Sequence, residues 1–201
     1  MMTITQQWLR ARALAAALLK NTRGMVAVEF ALILPIMAVL FFGTVEMSNG
    51  VAVYRKVTLM AHTLSDLTSQ SVEVQDADLL NFFNASTGVM SPYSAGPISQ
   101  TITEIWVNPS GQAFVQWSQG SAPLTVGNSF SNLPPNLAVA NTYVIFSQVS
   151  YIYTPMVGYV MAKTGVTLSD FAYTRPRQFA CVLYDPPMPL TTPPPSCPTI
   201  T

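Results

Sequence analysis

The chain has 201 residues, nine basic and nine acidic side chains and a formal net charge of zero, so nucleic-acid binding has no electrostatic support. Charged residues make up 9% and apolar residues 50%, against roughly 25% charged in an average soluble chain. With one histidine and two cysteines there is no cysteine/histidine metal spacing and no Ser-His-Asp set, and no glycine-rich loop cradles phosphate, so neither an enzyme nor a cofactor is expected.

Residues 1–24 read as a basic leader. Arg10, Arg12, Lys20 and Arg23 lie in it with no acid among them, and the apolar patch from Ala13 to Leu19 is too short to cross a bilayer. A membrane-length run follows. Between Glu29 and Glu46 lie sixteen uncharged residues, Phe30 to Val45. A helix over 25–45 would be roughly 32 Å long at about 1.5 Å per residue, enough for a hydrocarbon core of about 30 Å. Four basic residues before the run against two close behind it, Arg55 and Lys56, place the N-terminus in the cytoplasm and the body outside the inner membrane. The apolar core runs into Glu46-Met47-Ser48-Asn49 with no convincing small-x-small cleavage site, so the alternative to a processed leader is an uncleaved signal anchor.

Two residues within the run carry chemistry. Glu29 is a carboxylate at the mouth of an apolar segment, costly if deep and therefore in need of a partner. A cut after Gly24 would free an α-amino group on Met25, a little over one helical turn away. The simpler reading has Glu29 reaching the headgroups or pairing locally with Arg23. Pro35 removes a backbone donor and crowds the Ala31 carbonyl, which predicts a kink or a loosened turn in the membrane helix.

Gly24-Met25-Val26-Ala27-Val28-Glu29 resembles the N-terminus of type IV prepilins and pseudopilins, and the continuation Phe30-Ala31-Leu32-Ile33-Leu34-Pro35 resembles the TadE-like group of the tight-adherence (Tad, or Flp) pilus system. The firm likeness runs from about Arg23 to Arg55. Tyr151-x-Tyr153-Thr154-Pro155 and Arg175-Pro176-Arg177 are similar to the closing strands of such chains, more weakly. The resemblance implies a minor pilin cut after Gly24 by a prepilin peptidase. It also implies that the freed amine and Glu29 set helix register, with an inner-membrane platform, a secretion ATPase and other pilins and pseudopilins as partners. An uncleaved, TadG-type anchored assembly or envelope protein shares the N-terminal pattern and is the first alternative. A membrane-anchored periplasmic enzyme or binding domain is the second.

The helix is predicted to continue to about residue 69. Met47, Val51, Tyr54, Val57, Ala61, Leu64 and Leu67 recur at helical spacing, with Ser48, Asn49, Arg55, Lys56, Ser65 and Asp66 largely off the stripe. His62 lies beside it and is read as solvated or packed. A second helix is predicted over 77–83, capped by Asp76, with Leu79, Leu80, Phe82 and Phe83 as its apolar face. The region 46–90 is thus a helical stalk and second helix. Glu73, Asp76 and Asp78 most simply decorate a loop and helix start, and Asn84-Ala85-Ser86 matches a glycosylation pattern that a bacterial exported chain has no reason to use.

Over 91–180 prolines, glycines and β-formers take over. Thr101–Val107 and Ala113–Trp117 flank Asn108-Pro109-Ser110-Gly111-Gln112, a hairpin with a five-residue loop. Gly120 to Asn136 is loop-rich, Thr142–Thr154 alternates as a long strand, 155–163 suits a short helical turn, and Val166–Tyr173 is another strand. About four antiparallel strands against a helix give an α+β, pilin-like domain. Trp106 and Trp117 are read as strand-packing residues, with an aromatic binding patch as the alternative.

In 181–201, Cys181 and Cys197 enclose fifteen residues, six of them proline. In an oxidising periplasm they would close a C-terminal loop, worth about 3 kcal/mol in the chain-entropy model. Two unpaired thiols in a Pro-rich tail remain the other reading.

Overall fold

The computed structural model describes residues 24–94, 96, 98–155, 165–185 and 197. The leader before Gly24, the turn expected within 155–163 apart from Pro155, and the Pro-rich stretch 186–196 lie outside the described residues. The chain divides into two units, Met1–Met47 and Ser48–Thr201.

The first element, α1 (Met25–Ser69), contributes residues to both units. It is followed by β1 (Glu73–Val74), α2 (Asp76–Gly88), β2 (Ile98–Val107), β3 (Ala113–Gly120), β4 (Thr142–Tyr153), β5 (Val166–Thr174) and β6 (Leu183–Tyr184). The predicted α+β plan holds: β3, β2, β4 and β5 lie side by side in one antiparallel sheet. The expected hairpin closes with Val107 opposite Ala113. Its Asn108 side chain accepts from the backbone N–H groups of Ser110 and Gln112, the local bonding that makes asparagine a turn former. β3 ends at Gly120, whose φ of 132° is open to glycine, and an added Cβ would collide with the backbone of Gln100 and Thr101.

Strand alternation and register put Ile102, Glu104, Trp117, Ile145, Ser147 and Val149 on one face of the sheet. There Ile102, Trp117, Ile145, Val149 and Tyr151 pack with Val53, Val57, Met60, Ala61 and Leu64 of α1. The buried stripe differs from the one expected. Met47, Val51 and Tyr54 are exposed, and Val53 and Met60 take their place. Val57, Ala61 and Leu64 fit either stripe, and the sheet decides between them. Ser65 and Thr68 are also fully buried, made tolerable by hydrogen bonds. Ser65 Oγ donates to Thr174 Oγ1 (2.6 Å) and Thr68 Oγ1 to the Leu64 carbonyl (2.9 Å). Ser147 Oγ donates to the Ala61 carbonyl at 2.6 Å, and Thr58 bonds Asp170. The opposite sheet face buries Ile105, Val107 and Phe146 under Phe130 and Leu133 from the long loop after β3.

α2 corrects two expectations. It is longer than 77–83, and Gln75, not Asp76, is its N-cap. The Asp78 carboxylate accepts from the Gln75 backbone N–H at 3.1 Å, so the acid three residues into the helix satisfies the cap donor and lets the helix start one residue early. Leu79 is buried but Leu80 is 59% exposed, because a helix narrower than its apolar run turns one leucine outward. The far end is held by Lys56, read as off-stripe. Its Nζ donates to the carbonyls of Val89 (2.9 Å) and Ser91 (2.8 Å), where a cation suits a helix C-terminus.

Replacing Lys56 by methionine keeps the aliphatic stem and removes these donors. We expect the domain to lose about 1–2 kcal/mol, since hydrogen bonds from charged groups contribute about 1.5–3 kcal/mol before solvent screening. A lowered urea midpoint of the detergent-solubilised protein at unchanged slope is the measurement.

Candidate membrane-anchoring and processing segment

α1 begins at Met25, immediately after the exposed Gly24. Glu29 lies four residues on, which puts it on the same helix face as Met25. It is exposed, and among the described residues it has no ion-pair partner. The segment thus brings Gly24, Met25 and Glu29 into one stretch at the helix start.

The helix after Glu29 is apolar on every side. At about 100° per residue, Val26, Leu34, Phe42, Leu32 and Leu40 point in five directions with no gap wider than about 80°. All five are exposed, from Phe42 at 49% to Val26 at 70%. A helix with an apolar stripe belongs on a protein surface, whereas one that is apolar all round needs an apolar surrounding. None of the most apolar stretch of α1 is covered by the protein itself. By length and composition it is the one helix among the described residues suited to cross a membrane. Its internal polar groups are handled locally: Thr44 Oγ1 donates to the Leu40 carbonyl at 2.7 Å. Pro35 sits inside α1, which remains helical on both sides of it. Its missing N–H leaves the Ala31 carbonyl without the usual intrahelical donor, and no turn is lost.

The weaker motif Arg175-Pro176-Arg177 reaches the other end of α1. The Arg177 backbone N–H donates to the Ser69 carbonyl at 2.8 Å, and its guanidinium pairs with Asp66 at 2.5 Å. His62 is exposed and lines a shallow depression with Thr63, Asp66, Thr174 and Arg177. Among the described residues, no three His, Cys, Asp or Glu side chains are grouped to hold a metal. The acids at 73–78 are separated by their bonds: Asp78 binds the cap and Asp76 accepts from Tyr184 Oη at 2.6 Å.

Sequence reading missed the strap formed by 181–185. Cys181 and Cys197 are joined by a disulfide with a Cα–Cα distance of 5.9 Å. β6 runs parallel to β1, and Leu183 and Asp185 donate backbone N–H bonds to the carbonyls of Val72 and Val74, each at 3.0 Å. Beneath lie Trp106 and Tyr143, buried with Cys181 and Leu183, while the Trp117 ring stacks on Tyr184 at 5.6 Å. Trp106 and Trp117 are therefore packing residues. Glu104 is the unusual member: it is fully buried. Its Oε1 accepts from the Val182 N–H at 2.6 Å, and its Oε2 has no partner among the described residues. Burial pushes its carboxyl up to about 8, against the opposing pull of the Val182 N–H and of the nearby Trp117 N–H, whose own hydrogen bond goes to the Val182 carbonyl. An acid four places into a strand that is otherwise Thr-Ile-Thr-x-Ile-Trp-Val gives a sequence-level signal, since a carboxylate on an inward-facing position is rare.

The family model for TadE-like proteins matches residues 24–64, from the glycine at the helix start into the part of α1 that packs on the sheet. The resemblance read from the sequence is thus supported over that segment. Comparison with curated proteins finds no match, and comparison with solved structures finds none either.

Val39, 73% exposed in the middle of the apolar segment, gives a test. Val39→Lys should leave the Ser48–Thr201 unit folded but cost membrane insertion about 2.5–3.5 kcal/mol. Fractionation should then recover less protein in carbonate-washed membranes than for wild type.

Proposed function

We propose that this chain is a TadE-like minor pilin, or pseudopilin, that assists assembly of a tight-adherence pilus at the inner membrane. The observation that carries the reading is the coincidence, within residues 24–64, of the family match and a helix whose apolar surface is exposed on all sides. The TadE-like pilus-associated family is not an enzyme family, which favours an assembly role over catalysis.

In this reading a prepilin peptidase cuts after Gly24, and the chain stays in the inner membrane as a single-pass protein with its domain in the periplasm. The new ammonium group on Met25 finds the Glu29 carboxylate on its own helix or on a neighbouring subunit. A charge-assisted bond in a low dielectric is both strong and directional, so it fixes the axial register of packed helices. Pro35 leaves an acceptor free for such repacking. Other pilins and pseudopilins, the inner-membrane platform and its secretion ATPase are the partners this role requires.

Two measurements test it. Intact mass and N-terminal sequencing of membrane-extracted protein should give a chain beginning at Met25, lighter by the residues up to Gly24. A chain still starting at Met1 would instead favour the uncleaved, TadG-type anchor. Glu29→Gln should be cut normally yet lower pilus output by about tenfold or more, the equivalent of one lost charge-assisted bond. Undiminished piliation would remove Glu29 from the mechanism.

A further inference from the structure

We propose that Glu104 is a protonation-operated latch: its neutral carboxyl holds the 181–185 strap against the sheet, and loss of its proton loosens that strap. Glu104 projects from β2 between Trp117 and Ile145, its cross-strand neighbours, and is fully buried. The peptide of Val182 is gripped from both ends. Its N–H donates to Glu104 Oε1 at 2.6 Å, and its carbonyl accepts from Trp117 Nε1 at 2.9 Å. Only one oxygen of Glu104 is thereby satisfied, while Oε2 is buried without a partner among the described residues. A neutral carboxyl tolerates that arrangement. A carboxylate does not, because a buried charge needs several donors or a counter-ion.

Ionisation must therefore be relieved by movement, and the strap is the element that can move. β2 is held by ten paired residues to β4 and seven to β3. β6 is held to β1 by two. Opening the strap lets water reach Glu104 at the cost of the two-residue β1–β6 pairing, the Trp117–Val182 bond and the contacts of Tyr184. It also bares Trp106, Tyr143 and the ring of Trp117, an aromatic surface that the closed strap covers.

The groups around Glu104 leave it as the proton switch. Tyr143 faces it from β4 and is itself pushed up to about 12 by burial and by the Glu104 charge, so it stays neutral. Trp117 on β3 does not titrate, and Cys181 in the strap is in a disulfide. Tyr184, raised to about 12 by its bond to Asp76, also stays neutral. The remaining strap acid is Asp185, and β1 contributes Glu73, with a buried Oε2 of its own. On α1, Asp66 is paired with Arg177 at the surface.

In the closed state the carboxyl titrates near 8, and in an opened, hydrated state near its ordinary 4.5. The strap's closed form has its full advantage below the ordinary value. It loses this as pH rises towards 8, by up to about tenfold per pH unit, and levels off above.

Amide hydrogen exchange on the full-length, detergent-solubilised chain reads this directly, through the bonded N–H groups of Val182, Leu183 and Asp185. After correction for intrinsic rates, their protection should fall by at least about tenfold between about pH 5.5 and pH 8. Amides of β4 should hold theirs. Glu104→Gln keeps an acceptor for Val182 and should abolish the pH response, whereas Glu73→Gln should leave it. Protection of the strap independent of pH in the wild type overturns the latch, and that arm needs no variant to fold. So does an equal loss across β4, which would be global unfolding, or a response that follows Glu73 in place of Glu104.

Discussion

The constraint on which this structure depends is that α1 must satisfy its backbone within itself while serving two different surroundings. Over 25–45 it offers no polar face, so nothing but an apolar medium suits its surface, and in that medium an unpaired N–H or C=O costs several kcal/mol. The helix is the form that pairs these groups without help from neighbours. Thr44 folds its hydroxyl back onto Leu40, and Pro35 is accommodated without a break. Past Ser48 the same helix obeys the opposite rule. There its buried residues are a stripe, from Val53 to Leu64, and the polar Ser65 and Thr68 are admitted because each has an acceptor within reach.

The ends of the helices follow from that internal pairing, since an α-helix always leaves carbonyls unpaired at its C-terminus. Both helices end against basic residues distant in sequence. The carbonyls just beyond α2 are met by Lys56 from α1, and Ser69 near the end of α1 is met by the backbone of Arg177. These contacts tie α1 to segments 33 and more than 100 residues away, so the domain is fastened at the points where its secondary structure runs out of its own partners. The Arg177–Asp66 pair is surface-exposed and contributes little on its own account; the backbone bond beside it does more to position the chain.

Most of this architecture was legible from periodicity. The apolar run, the helix reaching Ser69, the hairpin about Asn108–Gln112 and the alternating strands of 142–154 and 166–173 all carry short-range signals, and they appear where those signals place them. What failed was information that only packing supplies. Two apolar stripes share Val57, Ala61 and Leu64, and no rule internal to α1 chooses between Val51 and Val53. Leu80 belongs to an apolar cluster wider than the face α2 buries. The two-residue β1 and β6 are too short for alternation to register, and their parallel pairing spans more than a hundred residues. Glu104 was visible as an acid inside a strand, yet a strand's two faces are equivalent in sequence until the partner layer is known.

That last ambiguity explains why the most unusual side chain of the domain sits where it does. α1 ends at Ser69, while the sheet continues under it through Trp106 and Tyr143, so part of the inner face needs another cover. A later segment supplies one, a strap whose pairing with β1 spans only two residues. Such a segment is weakly held by backbone bonds alone, which are worth about 0.5–1.5 kcal/mol each. The disulfide restrains its start at Cys181, the Tyr184 ring stacks on Trp117, and its hydroxyl bonds Asp76 and Gln119. Glu104 is the one contact in this set whose sign depends on a proton. An apolar residue there would leave the Val182 N–H without an acceptor, and a glutamine would supply one permanently. A carboxyl accepts from Val182 in either state but buries a charge in only one of them, so the cover is firm in one protonation state and weak in the other.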